Sequence, residues 1–265
     1  MANEPPAPAK RPLRILSGVQ PSGKLHLGNY FGAVKQHIAL QDEGQCFFFI
    51  ANYHALTTVR EAAKKIADET NRRVHPADLL REYTLDVALD YLALGLDPNK
   101  VAFFKQSDVP EVAELTWILA TVTNMGLLER AVSYKDKIDK GIEPSVGLFT
   151  YPVLMAADIL IYRSNIVPVG QDQVQHIEMT QDMAGKFNRA FGDIFPIPEY
   201  RLDRASKVPG LVEALRQEFS LPVEILNPFQ RIMQPADSTE NEILEQNPGQ
   251  LAVAVGLALR SFEDL

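Results

Sequence analysis

The chain has 265 residues, 46% of them hydrophobic and 23% charged, with a net charge of −8. That suits one large or two small domains of an ordinary soluble protein, with enough chain to bury a core without disulfides or metals. The single cysteine, Cys46, excludes an internal disulfide, a four-cysteine zinc or iron–sulfur site and a C-x-x-C redox pair. No run approaches the roughly 18 apolar residues of a membrane span, and the acidic balance argues against general coating of nucleic acid. Residues 1–12 are rich in proline and alanine and hold no apolar segment. They read as the flexible leader of a cytoplasmic protein, not as a signal peptide.

In chain order, the first predicted strand is Arg14–Val19, followed by a turn-rich loop and a helix over about 28–40. Residues 45–51, with three consecutive phenylalanines, fit a strand buried on both faces. A helical pattern over 61–94 breaks near His75-Pro76. A strand follows at 101–105, then a helix over 110–123 with Pro110 in its first turn. Helix over 151–162, strand over 166–169 and helix over 173–191 complete the alternation. Strands alternating with helices predict an α/β fold with a doubly wound parallel sheet. Ligands of such a sheet sit beyond the carboxyl ends of its strands, so chemistry is expected on the loops after Val19, Ala51 and Val169. The composition then changes. Residues 1–207 carry 23 Lys+Arg against 25 Asp+Glu, whereas 208–265 carry 3 against 9 and no lysine. A boundary is expected near Lys207.

The most informative segment runs from Ser17 to Asn29. Its small residues let backbone N–H groups approach an anion, and the helix start that follows favours negative charge. Gly18 to Lys24 spells G-x-x-x-x-G-K, but a phosphate loop of that type needs Ser or Thr next to hold magnesium, and Leu25 stands there. Two readings of His26-Leu-Gly-Asn29 remain: an imidazole facing a nucleotide phosphate, or a capped strand-to-helix turn with a satisfied surface histidine. Asp158 is the second signal. It lies on the apolar run 154–160, where a carboxylate is costly without a partner. It is either a buried cap or arginine partner, or a group kept for a ligand.

The segment 17–29 resembles the HIGH signature of class I aminoacyl-tRNA synthetases, in the form found in the bacterial tryptophanyl enzymes. The similarity continues through Ala51-Asn-Tyr-His-Ala-Leu-Thr57, Gly126-Leu-Leu-Glu-Arg130, Tyr151-Pro-Val-Leu-Met-Ala-Ala-Asp158 and Val167 to His176. It implies a Rossmann-like class I catalytic domain over 13–207 that activates L-tryptophan with ATP and passes it to tRNA(Trp). On that resemblance His26, Asn29 and Gln20 are the catalytic positions. Gln20, Pro21, Ser22, Gly28, Asn29, Gly170, Gln171, Asp172 and Val208 bind ATP. Asp158, Met155, Gln173, His54, Val167 and Val169 bind tryptophan. The related tyrosyl enzymes usually carry Gln where Met155 stands, so the resemblance favours tryptophan. It further implies magnesium carried by the nucleotide, no zinc, no iron–sulfur cluster, no membrane and a cytoplasmic homodimer.

The family pattern then fails. The motif Lys-Met-Ser-Lys-Ser should follow Lys207-Val-Pro-Gly-Leu211 within a few residues, but the chain reads Val212-Glu-Ala-Leu-Arg-Gln-Glu-Phe219. The family's helical anticodon-binding domain is expected to be missing as well. Residues 208–265 form an atypical acidic segment. The stretches 209–229 and 251–262 are similar to the C-terminal part of the actin-like type IV pilus assembly protein. Two functions follow as expectations: a tryptophan–tRNA ligase impaired by the lost loop, or an inactive tryptophan- and ATP-binding fusion.

Overall fold

Apolar strands with no polar alternation build a sheet covered on both faces. The computed structural model describes residues 13–131, 134, 138, 144–170 and 173–202. Its strands are β1 (Arg14–Val19), β2 (Gln45–Ile50), β3 (Ala102–Lys105), β4 (Ile166–Val169) and β5 (Glu199–Leu202). They form one parallel sheet in the order β3-β2-β1-β4-β5. The expected doubly wound parallel sheet is therefore present. The expected leader 1–12 and the acidic segment 208–265 lie outside the described residues, which belong to a compact unit ending at Asp203.

The chain order reverses between β1 and β4, which places the topological switch point there. These two strands register at Ile15 with Ile166. Pro168, having no N–H, adds no donor to the ladder, and its carbonyl instead accepts from the Ser17 hydroxyl at 3.4 Å.

Side chains of β2 alternate between the two faces. Phe48 packs with Ile15, Val34, Val87 and Tyr91 on one side. Phe49 packs with Leu16, Ile159, Val167 and Ile177 on the other. The first face is covered by α1, helical over 27–40, and α4 (Pro76–Ala93). The second is covered by α7 (Val146–Ile161) and α8 (Val174–Phe191), with α5 (Glu111–Ala120) packed behind α7. Short helices α2 (Asn52–Ala55) and α6 (Met125–Leu128) and the longer α3 (Val59–Thr70) fill the connections.

The break expected near His75-Pro76 separates α3 from α4. Pro76 occupies the first turn, and the His75 ring accepts from the Ala77 N–H at 3.3 Å. Three expectations change. Helix α1 contains a π-helical turn at Tyr30–Val34. Helix α7 begins at Val146, not 151, because Ser145 caps it through the Leu148 N–H; the interior Pro152 is tolerated in its second turn. Strand β5 was not expected. All four of its residues are exposed, so it lacks the apolar run that marks a buried strand.

Candidate active site

Asp158 sits on the most apolar stretch of α7 and is 2% exposed. Gln106, in the 3₁₀ turn directly after β3, donates from Nε2 to both carboxylate oxygens at 2.9 and 2.8 Å. His54, on α2 after β2, donates from Nε2 to Oδ2 at 2.9 Å. Among the described residues neither an arginine nor a helix cap is involved; the partners are an amide and an imidazole from the carboxyl ends of β3 and β2. Burial pushes the Asp158 carboxyl above the usual carboxylate range, and the bonds from His54 and Gln106 only partly offset it.

The two loops that supply these donors are stitched together. Gln106 Oε1 accepts from the Tyr53 N–H at 3.0 Å. Asn52 Nδ2 donates to the Ser107 hydroxyl at 2.8 Å, and the Ser107 N–H donates to Asn52 Oδ1 at 3.0 Å.

Met155, Val167 and Val169 lie in the apolar cluster between α7, α8 and the sheet. Gln173 Oε1 accepts from His176 Nδ1 at 2.9 Å, and the Tyr151 hydroxyl bonds to the other ring nitrogen. With Nδ1 as the donor, Nε2 is the acceptor of the Tyr151 O–H. His54, Tyr151 and Leu154 open on a cavity of about 670 Å³, which Thr57, Arg60 and Glu61 also line. A larger cavity, about 830 Å³, borders α4 and contains none of the predicted site residues. Asp158 itself lines neither cavity.

The predicted nucleotide residues follow β1. Gln20 donates from Nε2 to the Thr58 hydroxyl at 3.0 Å. Gln20, Pro21 and Ser22 border a small cavity of about 230 Å³ against Thr58 and Tyr83. Gly23 has φ +142°, a backbone setting that side chains rarely adopt. At the start of α1 the His26 N–H donates to Asn29 Oδ1 at 3.0 Å, and the Asn29 N–H donates to His26 Nδ1 at 3.3 Å. The histidine therefore serves the turn through Nδ1, which is the capped strand-to-helix reading of the segment, and its Nε2 is not used by that turn. Gly18 is not a phosphate-loop glycine. It pairs with Phe49 inside the sheet, and a Cβ there would come within 2.5 Å of the Phe49 ring.

Gly170 directly follows β4, and its carbonyl accepts from the Gln173 N–H at 3.0 Å. It thus leaves the sheet beside the β1 loop, at the switch point. Gln171, Asp172 and Val208 lie outside the described residues. Sequence reasoning missed Gln106, Tyr151 and His176. Gln106 could have been found as the first polar residue beyond a predicted strand, and Tyr151 as the opening residue of the motif ending at Asp158.

Residues 8–218 match the model of the family described as tRNA synthetases class I (W and Y). Residues 204–262 match that of the type IV pilus assembly protein PilM, so the two matches overlap on 204–218. The tryptophan–tRNA ligase of Rhodopirellula baltica is 56% identical over 199 residues, covering 75% of this chain and 58% of that protein. That of Campylobacter jejuni is 52% identical over 191 residues, covering 72% and 55%. The chain thus spans little more than half the length of these relatives. A crystal structure of the Campylobacter jejuni tryptophanyl-tRNA synthetase complexed with ADP and tryptophan aligns with TM-score 0.65 and 39% identity, over 91% of this chain and 78% of that one. The tyrosyl-tRNA synthetase of Aeropyrum pernix, 18% identical with TM-score 0.55, shares the fold. Fold and sequence agree, and the chain belongs to the family of class I tRNA synthetases for tryptophan and tyrosine.

Proposed function

We propose that this chain binds L-tryptophan and ATP and carries the tryptophan-activating half of a tryptophan–tRNA ligase. The observation that carries the reading is the buried carboxylate Asp158, held by Gln106 and His54 beside the apolar cluster of Met155, Val167 and Val169. An indole N–H is a donor only and satisfies that acceptor. Phenylalanine would supply no donor to that carboxylate beyond those of Gln106 and His54, a loss that sites of this kind discriminate against. Met155, Val167 and Val169 would wall the indole, with His54 and Gln173 on its polar sides.

In activation the tryptophan carboxylate attacks the α-phosphorus of ATP in line. One P–O bond forms, the bond to the bridging oxygen breaks, and pyrophosphate leaves. The protein supplies positioning and charge stabilisation and needs no nucleophile of its own. His26, with its ring held by Asn29, would donate to the phosphates, while Gln20, Pro21, Ser22, Gly28, Gly170, Gln171, Asp172 and Val208 would form the nucleotide cleft. Magnesium would arrive on the phosphates. Transfer to tRNA(Trp), a homodimer and a cytoplasmic location belong to the same reading. Among the described residues no helix is long and apolar enough to cross a membrane.

A second reading has its own observation. Where the resemblance calls for two lysines over the phosphates, residues 212–219 supply Arg216 alone. We therefore place the end of the synthetase portion near Lys207, supported by the end of the compact unit at Asp203 and the PilM match from 204. On this reading the pocket survives in a protein that binds tryptophan and ATP without turnover. Tryptophan-dependent ATP–pyrophosphate exchange tests both, with tyrosine as control. Exchange at ordinary synthetase rates supports the ligase. No exchange, with tryptophan still raising the melting temperature, supports the binding protein. Neither effect rejects both.

A further inference from the structure

Gln106 is 1% exposed and makes three hydrogen bonds with one carboxamide. Its Oε1 takes the backbone N–H of Tyr53, and its Nε2 reaches both oxygens of Asp158. This pattern fixes the amide: the flipped form would set oxygen against carboxylate and NH₂ against N–H. We infer that Gln106 is the positioning residue that aims Asp158, and so determines the preference for an indole N–H over a ring without one. The inference rests on the proposed tryptophan pocket.

The physical case is one of preorganisation. Among the described residues Asp158 has no arginine or lysine partner, and the donors that hold it are directional ones. His54 holds only Oδ2 and is partly exposed at the cavity, with 14% of its side chain open. Gln106 alone spans both oxygens, and it is anchored to main chain, not to another mobile side chain. Two hydrogen bonds to one carboxylate fix its plane and its rotation about χ2, leaving the remaining lone-pair direction aimed at one place. A functional constellation needs such support from groups that are themselves locked. A ligand with no N–H gains nothing from that aim.

The test is equilibrium binding to the full chain of L-tryptophan and of 3-benzothienylalanine, in which sulfur replaces the indole N–H. Gln106→Met keeps the volume and removes both the donor and the acceptor. Gln106→Asn keeps the amide but is one methylene too short to span Tyr53 and Asp158. In either variant tryptophan affinity is expected to fall about tenfold or more, while that for the sulfur analogue stays within about twofold. The preference between the two ligands therefore collapses, a change that general loosening of the pocket would not produce. Equal losses for both ligands, or an unchanged preference in a folded variant, overturn the inference. Failure of the unsubstituted chain to bind tryptophan overturns the proposed pocket and this inference with it.

Discussion

Gly28 faces the ring of His26 so closely that a Cβ on residue 28 would lie 2.9 Å from Cε1 and Nδ1 of the imidazole. The contact is with an exposed side chain, which can swing away, so the fold loses little. The ring's aim is lost, because Nδ1 can no longer take the Asn29 N–H at 3.3 Å. Gly28→Ala is therefore expected to leave the melting temperature unchanged or slightly raised, since alanine suits a helix better than glycine by about 1 kcal/mol. ATP affinity, measured by calorimetry, should fall as far as in His26→Ala. ATP binding untouched by Gly28→Ala would mean that this histidine does not face the nucleotide.

Tryptophan binding should release protons as the pH is lowered toward the raised Asp158 pKa. Burial raises the Asp158 carboxyl above its ordinary value, so a fraction is protonated at a pH where exposed carboxylates are fully ionised. An indole N–H bonds more strongly to the ionised form than to the protonated one, so the ligand pulls the equilibrium toward the carboxylate and the proton leaves. Calorimetry in buffers of differing ionisation enthalpy should show proton release that grows as pH falls from neutral, with affinity falling in parallel. Asp158→Asn should abolish the release and cost tryptophan affinity a factor of about 10 to 100, the worth of a charge-assisted hydrogen bond.

The sheet was legible because β1, β2 and β4 are short apolar runs between turn signals, and a strand buried on both faces cannot be written otherwise. β5 was not, since an exposed edge strand at 199–202 carries no burial pattern. Pro152 hid the start of α7: read locally it marks a helix beginning, whereas the Ser145 cap lies further back. Within the site, Asp158 stood out as a charge on an apolar helix. Gln106 did not. A neutral amide after a strand has no pattern of its own, and its importance arises only when folding brings residue 106 within 3 Å of residue 158.

Acid should weaken the fold through His37, on α1. The ring is buried against Phe48 and bonds to the Tyr91 hydroxyl at 2.9 Å, and burial lowers its pKa from 6.5 to about 4. The unfolded chain takes up a proton below 6.5 that the folded chain refuses. Stability is thus fully present above that pH and is lost progressively down to about pH 4, by roughly 3 kcal/mol. His37→Phe removes this slope but leaves the Tyr91 hydroxyl buried and unpaired, at a cost of about 1–3 kcal/mol at every pH. Urea unfolding from pH 7 to pH 4.5 should show the two proteins converging as pH falls. Parallel curves would mean that His37 does not titrate with folding.

Trp117 gives a direct test of self-association. It is the chain's single tryptophan, lies on α5 and is 75% exposed, with Ile118 beside it at 44%. An exposed indole emits at long wavelength. Covering it with a second copy would shift the emission to shorter wavelength and bury apolar area worth about 25 cal/mol per Å². If the proposed homodimer uses this helix, emission should move to shorter wavelength as protein concentration rises, in step with the mass measured by light scattering. Trp117→Glu should then be monomeric over the same range, because a carboxylate in that interface has no partner. A dimer in which Trp117 emission stays at long wavelength would place the interface on another face.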